Sequence, residues 1–257
     1  MEYLSYSKEN QIGTILLQHN PANALCSPMI KEIDSVLNDI ESDADVKVVV
    51  IRGEGRFFSA GADIKEFTTV KDAEGFSELG AYGQQVFDRI EGFSKPVIAA
   101  IHGAALGGGL ELAMACHMRI VTENAKLGLP ELQLGLVPGF AGSQRLPQFV
   151  GAAKATEMLV TSEPITGTEA EKWGLANQVV SEDELLDKAY ALAGKAAAKS
   201  AVAVGFALEL VNHARHGDYE LGAKKETELF GKAFASHDGQ EGIQAFIEKR
   251  KPDFKDR

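Results

Sequence analysis

Apolar residues recur along this chain in two rhythms. Val46–Arg52 (VKVVVIR) and Pro96–Ile101 (PVIAAI) are nearly unbroken apolar runs. Runs of that kind, covered on both faces, predict a parallel sheet with helices around it. Residues 2–18 read as two further strands around a turn at Glu9-Asn10, the second of them largely buried. The other rhythm is helical. Met29, Ile33, Val36, Leu37 and Ile40 share one face of a helix over 27–41, with Ser27 as the expected N-cap and Pro28 at the first helical position. Residues 68–93 repeat the pattern with Phe76, Leu79, Val86, Phe87 and Ile90 inward.

Further on, Ser143 is the expected cap of a helix carrying Arg145 and Leu146, followed by a helix over 151–160. Thr166-x-x-Glu169 is a capping box opening a helix to Lys172. A last strand is expected at 177–180, then helices at 182–198, 200–216, 218–236 and 239–250. Alternating strand, loop and helix predicts an α/β fold. Its expected division is a core over 1–195, which carries the site, and a helical C-terminal region over 196–257.

The glycine-rich stretch 103–151 breaks this regularity. Gly107-Gly108-Gly109 precedes LELAMAC, a run of good helix formers, so a helix is expected to start near Gly107. Its first amides point outward with a partial positive charge, which suits an oxyanion. Glu111 falls in that first turn, where an acid is also favoured by the helix dipole alone. Glu131 follows Leu129-Pro130 in a mostly apolar segment, and desolvation there would lift its pKa toward the range of a general acid or base. Upstream, strand 46–52 runs into SAGAD at 59–63; ligands of α/β folds commonly bind at loops after strand C-termini.

GGGLELAMAC, PELQLGLVPGFAGSQRL and FFSAGADIKEF at 57–67 together resemble the crotonase (enoyl-CoA hydratase/isomerase) superfamily, and the likeness runs over essentially the whole chain. The resemblance implies a crotonase-like spiral of ββα units whose C-terminal helices serve trimerisation. It implies an enoyl-CoA hydratase acting on trans-2-enoyl-CoA thioesters in fatty acid β-oxidation. Glu111 would orient and activate water while Glu131 exchanges a proton with C2. The amides of Ala62 and Gly108 would form the oxyanion hole. Ser59, Ala60, Ala62, Asp63, Ile64, Lys65, Phe230 and Lys249 would contact coenzyme A, which is part of the substrate; no separate cofactor or metal is expected. The segment 68–93 would lie near the acyl pocket. A homotrimer or homohexamer is expected. Retention of both acids argues against a double-bond isomerase, since isomerases of the family often work with one acid. His117 departs from the family, where Asp commonly follows the Cys.

Composition changes this picture little. The 257 residues are 45% hydrophobic and 25% charged, ordinary for a globular chain. A formal charge of −11 argues against a broad nucleic-acid surface and against a non-catalytic RNA-binding relative. Cys26 and Cys116, without CxxC spacing, read as buried thiols. No apolar stretch reaches 18 residues and the N-terminus lacks a signal-peptide pattern, so the expected location is cytoplasmic, with no membrane partner.

Overall fold

The computed structural model describes residues 1–257. Strands β1 (Leu4–Glu9) and β2 (Ile12–Leu17) form an antiparallel hairpin. Helix α1 (Ser27–Ser42) leads to β3 (Val48–Gly53), which pairs parallel with β2. A short helix α2 (Ile64–Phe67) and the long α3 (Ala73–Glu91) precede β4 (Val97–Ile101). Then come β5 (Ala104–Leu106), α4 (Gly108–Ala115), β6 (Met118–Thr122) and β7 (Lys126–Gly128). A 3-10 turn, Glu131–Leu134, leads into α5 (Gly142–Thr161), which kinks at Gly151. The remainder is β8 (Ile165–Thr166), α6 (Gly167–Lys172), β9 (Gln178–Val180), α7 (Leu185–Ala197), α8 (Ala201–His216), α9 (Tyr219–Ala235) and α10 (His237–Glu248).

Six strands make one sheet in the order β1-β2-β3-β4-β6-β9, parallel apart from the hairpin. A second sheet, β5-β7-β8, carries the chain between strand ends and the site. Both faces of the large sheet are covered, as the apolar runs predict. Ile33, Ile51, Phe87, Ile101 and Leu112 belong to the larger core. Val48, Val50, Ile98 and Ile120 point the other way, onto Leu185, Ala189 and Ala193 of α7. The helices α8 to α10 bury few side chains, among them Leu229 and Ala245. No single helix is long and apolar enough to cross a membrane.

Two capping expectations fail for one reason. Ser27 is not a cap: Cys26 holds that position with no side-chain bond, and the Ser27 amide donates instead to Glu66 Oε2 at 2.9 Å. Ser143 does not cap α5 either, because Ala141 is the N-cap in the left-handed region, φ 67°. In both places a carboxylate from a distant segment takes the free amides. Helix α3 begins only at Ala73, where Asp72 accepts from Gly75 N at 2.9 Å. Phe76 and Leu79 are half-buried, whereas Val86, Phe87 and Ile90 are buried.

The local capping box is present. Thr166 Oγ1 accepts from Glu169 N at 3.2 Å, and Glu169 Oε2 accepts from Thr166 N at 2.8 Å. Thr166→Ala is expected to cost about 1 kcal/mol, read as a lower denaturation midpoint at unchanged m-value.

Candidate active site

Two loops meet where β3 and β4 release the chain. Phe58 and Ser59 run beside β5: Ser59 N donates to Ala104 O at 3.1 Å and Leu106 N donates to Ser59 O at 3.0 Å. This pairing sets Gly61-Ala62 against Gly107-Gly108. A β-carbon built on Gly108 would stand 3.5 Å from the Ala62 amide nitrogen. Neither the Ala62 nor the Gly108 amide donates to any acceptor in the protein. Gly107, at φ 49° and ψ −126°, turns the chain from β5 into α4 through a conformation that side chains strongly disfavour. The outcome is two neighbouring free amides, one of them at the start of a buried helix.

Glu111 is 1% exposed in the first turn of α4. Its Oε1 accepts from Phe140 N at 2.8 Å and Gly142 N at 2.7 Å, while Oε2 takes no protein hydrogen bond. Burial pushes its carboxyl up to about 7, and the charge of Glu131 pushes the same way. The two amides and the Arg145 guanidinium oppose the rise. Glu131 opens the 3-10 turn, and burial raises its carboxyl as well. Its Oε2 is buried with no hydrogen-bond partner. A β-carbon on Gly107 would lie 3.0 Å from Glu131 Oε1, so this acid reaches back to the loop that carries the Gly108 amide.

The remaining expected site residues lie on three elements. Ser59 is fully buried, and the Ala60 amide is used by Ala22 O at 2.9 Å. Asp63 caps α2, accepting from Lys65 N at 3.0 Å, and leaves Ile64 and Lys65 exposed. Phe230, on α9, is exposed, and so is Lys249, the left-handed residue that ends α10. No hydrogen bond or ion pair links either of these two to 59–65.

Sequence reasoning missed the Phe140 and Gly142 amides as partners of Glu111. Gly142 also keeps a side chain away from that acid: a β-carbon there would stand 2.8 Å from Glu111 Cγ and Oε1. His117 is half-buried, its Nδ1 accepting from Val97 N at 2.9 Å, and desolvation lowers its pKa to about 4. It is a neutral structural group beside the sheet.

A family model described as enoyl-CoA hydratase/isomerase matches residues 7–257. The chain belongs to the enoyl-CoA hydratase/isomerase family. A probable enoyl-CoA hydratase of Bacillus subtilis (strain 168) is 54% identical over 99% of both chains. A short-chain-enoyl-CoA hydratase of Clostridium acetobutylicum is 41% identical over 97% of both, and a crotonyl-CoA hydratase of Syntrophomonas wolfei 40% identical over 98% of both. Among solved structures, an enoyl-CoA hydratase of Bacillus anthracis superposes with a TM-score of 0.94 at 35% identity, covering 100% of both chains. One from Geobacillus kaustophilus HTA426 gives 0.97 at 34% identity, covering 100% of this chain and 98% of that one. The α/β architecture with its helical C-terminal region is therefore the crotonase fold of the family.

Proposed function

We propose that the protein is an enoyl-CoA hydratase, adding water across the trans-2 double bond of an enoyl-CoA to give the 3-hydroxyacyl-CoA. The observation that carries this reading is the juxtaposition of two raised carboxyls with two unspent amides. The hydratase names of full-length relatives support it. The amides of Ala62 and Gly108 polarise the thioester carbonyl and stabilise the enolate that forms when oxygen adds to C3. Glu111 orients and activates the water; Glu131 gives the proton to C2. One proton leaves the water and another arrives at carbon, so two acid–base groups serve better than one.

The coenzyme A portion is assigned to 59–65, with Phe230 and Lys249 as contacts from the C-terminal helices. The substrate brings the coenzyme, and the step uses no metal. We place the reaction in fatty acid β-oxidation. Exposed Val211, Leu221, Phe230, Phe234, Phe246 and Ile247 on α8 to α10 support assembly as a homotrimer or homohexamer.

The test is the loss of the enoyl thioester absorbance when crotonyl-CoA is supplied. Hydration is expected to erase it at tens of turnovers per second or more. Migration of the double bond in a 3-enoyl-CoA, with crotonyl-CoA left untouched, would assign the site to isomerisation instead.

The pH profile checks the carboxyl pair. Burial holds the Glu111 carboxyl up to about 7, so below that pH it keeps its proton and cannot take one from water. The acid limb of kcat/KM is therefore expected near pH 7. The same raised carboxyl makes folding less favourable as pH climbs from 4.5 to about 7, since the folded chain keeps a proton that the unfolded one has lost. A profile flat from pH 6 to 9 would remove the pair from the mechanism.

A further inference from the structure

Glu111 is held by a turn, and the turn is held by an arginine. Arg145, in the first turn of α5, is 2% exposed. Its Nη1 donates to Phe140 O at 2.8 Å, its Nε to Glu91 Oε2 at 2.9 Å, and its Nη2 to Asp88 Oδ1 at 2.5 Å. One planar guanidinium thus ties the last turn of α3 to the backbone of residue 140. Phe140 is fixed from both ends: its carbonyl by Arg145, its amide by Glu111. Between Phe140 and Gly142 stands Ala141 in the left-handed region at φ 67° and ψ 23°. Such a conformation is unfavourable for a non-glycine residue and persists where its surroundings over-determine it.

The clamp also reaches the C-terminal helices. Glu91 is 6% exposed, forms an ion pair with Arg215 Nη1 at 2.5 Å and accepts from His216 Nε2 at 3.3 Å, both on α8. A buried ion network is a poor source of stability, because desolvation offsets the attraction. Its placement therefore needs another account, and the route to Glu111 supplies one.

We propose that Arg145, gripped by Glu91 and Asp88, is a positioning residue that locks the 140–142 turn so that its two amides hold Glu111 in its reactive orientation. The proposal rests on reading Glu111 as one of the two reacting acids. Arg145 touches no substrate and acts through Phe140 and Gly142. The charged groups acting on Glu111 are Glu131 from the 3-10 turn and Arg145 from α5. Around Arg145 stand Asp88 and Glu91 of α3, and beyond Glu91 lie Arg215 and His216 of α8. Loss of the guanidinium removes one favourable charge and loosens two amide bonds, and both changes raise the pH at which Glu111 ionises.

Arg145→Lys and Arg145→Gln test this on the full-length protein with crotonyl-CoA. Lysine keeps the charge against Glu91 and Asp88 but lacks the fork that reaches Phe140 O at the same time. Both variants are expected to lose about tenfold to a hundredfold in kcat, with KM within about threefold of wild type. The acid limb is expected to move up by about half a pH unit or more. If Arg145→Gln fails to fold, Arg145→Lys decides. A folded variant with wild-type kcat and an unmoved limb overturns the proposal, as does a variant that loses only thermal stability. Glu111→Gln, measured alongside, separates the two claims: near-normal turnover there removes the role of Glu111 itself, whatever Arg145 does.

Discussion

Glu131→Gln is expected to lower turnover of crotonyl-CoA by about 10²–10⁴, the usual worth of a positioned general acid, with little change in affinity for the thioester. The substitution is nearly isosteric. Glu131 Oε2 is buried and makes no hydrogen bond, so no internal bond is lost when an amide replaces the carboxyl. What disappears is a transferable proton. Burial holds this carboxyl above the ordinary range, which favours the protonated form. Glu111→Gln is expected to fall as far for a different reason. Its Oε1 already accepts two amides, a role that a glutamine oxygen can keep, so the variant should fold with the 140–142 turn in place. The remaining group is then an amide that cannot accept a proton from water. Stopped-flow absorbance with each variant, together with calorimetric binding of a saturated acyl-CoA, separates chemistry from binding. Retained turnover in both variants would leave the family likeness without this mechanism.

The parts of this arrangement differ in how openly the sequence displays them, and the difference follows contact range. The parallel sheet is legible because Val48–Ile51 and Val97–Ile101 are buried on both faces, and no alternating pattern survives such burial. Thr166 and Glu169 are legible as a cap because the partners lie three residues apart. The caps of α1 and α5 are not legible. Glu66 comes from 39 residues away and Glu111 from 31, so the serines next to each helix start give the wrong signal. Strands β5 and β7, three residues each, are too short to show a period, yet β5 aligns the two amide loops.

Glu131 is instructive in another way. Its desolvation was expected from the apolar residues beside it in the chain, but Leu132 and Leu134 are exposed. Glu131 lies instead against the Gly107 loop, 24 positions earlier, where the missing side chain lets the carboxyl in. Leu129, the apolar neighbour two positions back, is buried in the core, so the local signal is partly right. The Glu91–Arg145 clamp was not inferred at all, since nothing local marks an arginine in a helix as a ligand of a carbonyl five residues back.

Gly109→Ala is expected to cost about 10²–10³ in kcat, although the residue contributes no side chain, no charge and no hydrogen bond to substrate. A β-carbon at this position would stand 2.8 Å from both Ser59 Cβ and Ser59 Oγ, and nearer still to the Ser59 carbonyl oxygen. That carbonyl is not free to retreat. It accepts from Leu106 N at 3.0 Å, while Ser59 N donates to Ala104 O at 3.1 Å, so Ser59 is stitched into β5 on both sides. The start of α4 must move away from the 59–62 loop instead. Gly108 travels with the helix and Ala62 stays with the loop, so the two amides part. Oxyanion stabilisation depends on both donors reaching one oxygen, and the loss of one donor elsewhere costs that same factor. Gly108→Ala is a milder neighbour, because its β-carbon would meet the edge of the Phe140 ring at 3.1 Å, a contact relieved by a shift of a few tenths of an ångström. Measured per folded molecule, kcat should therefore fall further in Gly109→Ala than in Gly108→Ala. The reverse order, or wild-type kcat in Gly109→Ala, would show that the spacing of these two loops does not set the rate.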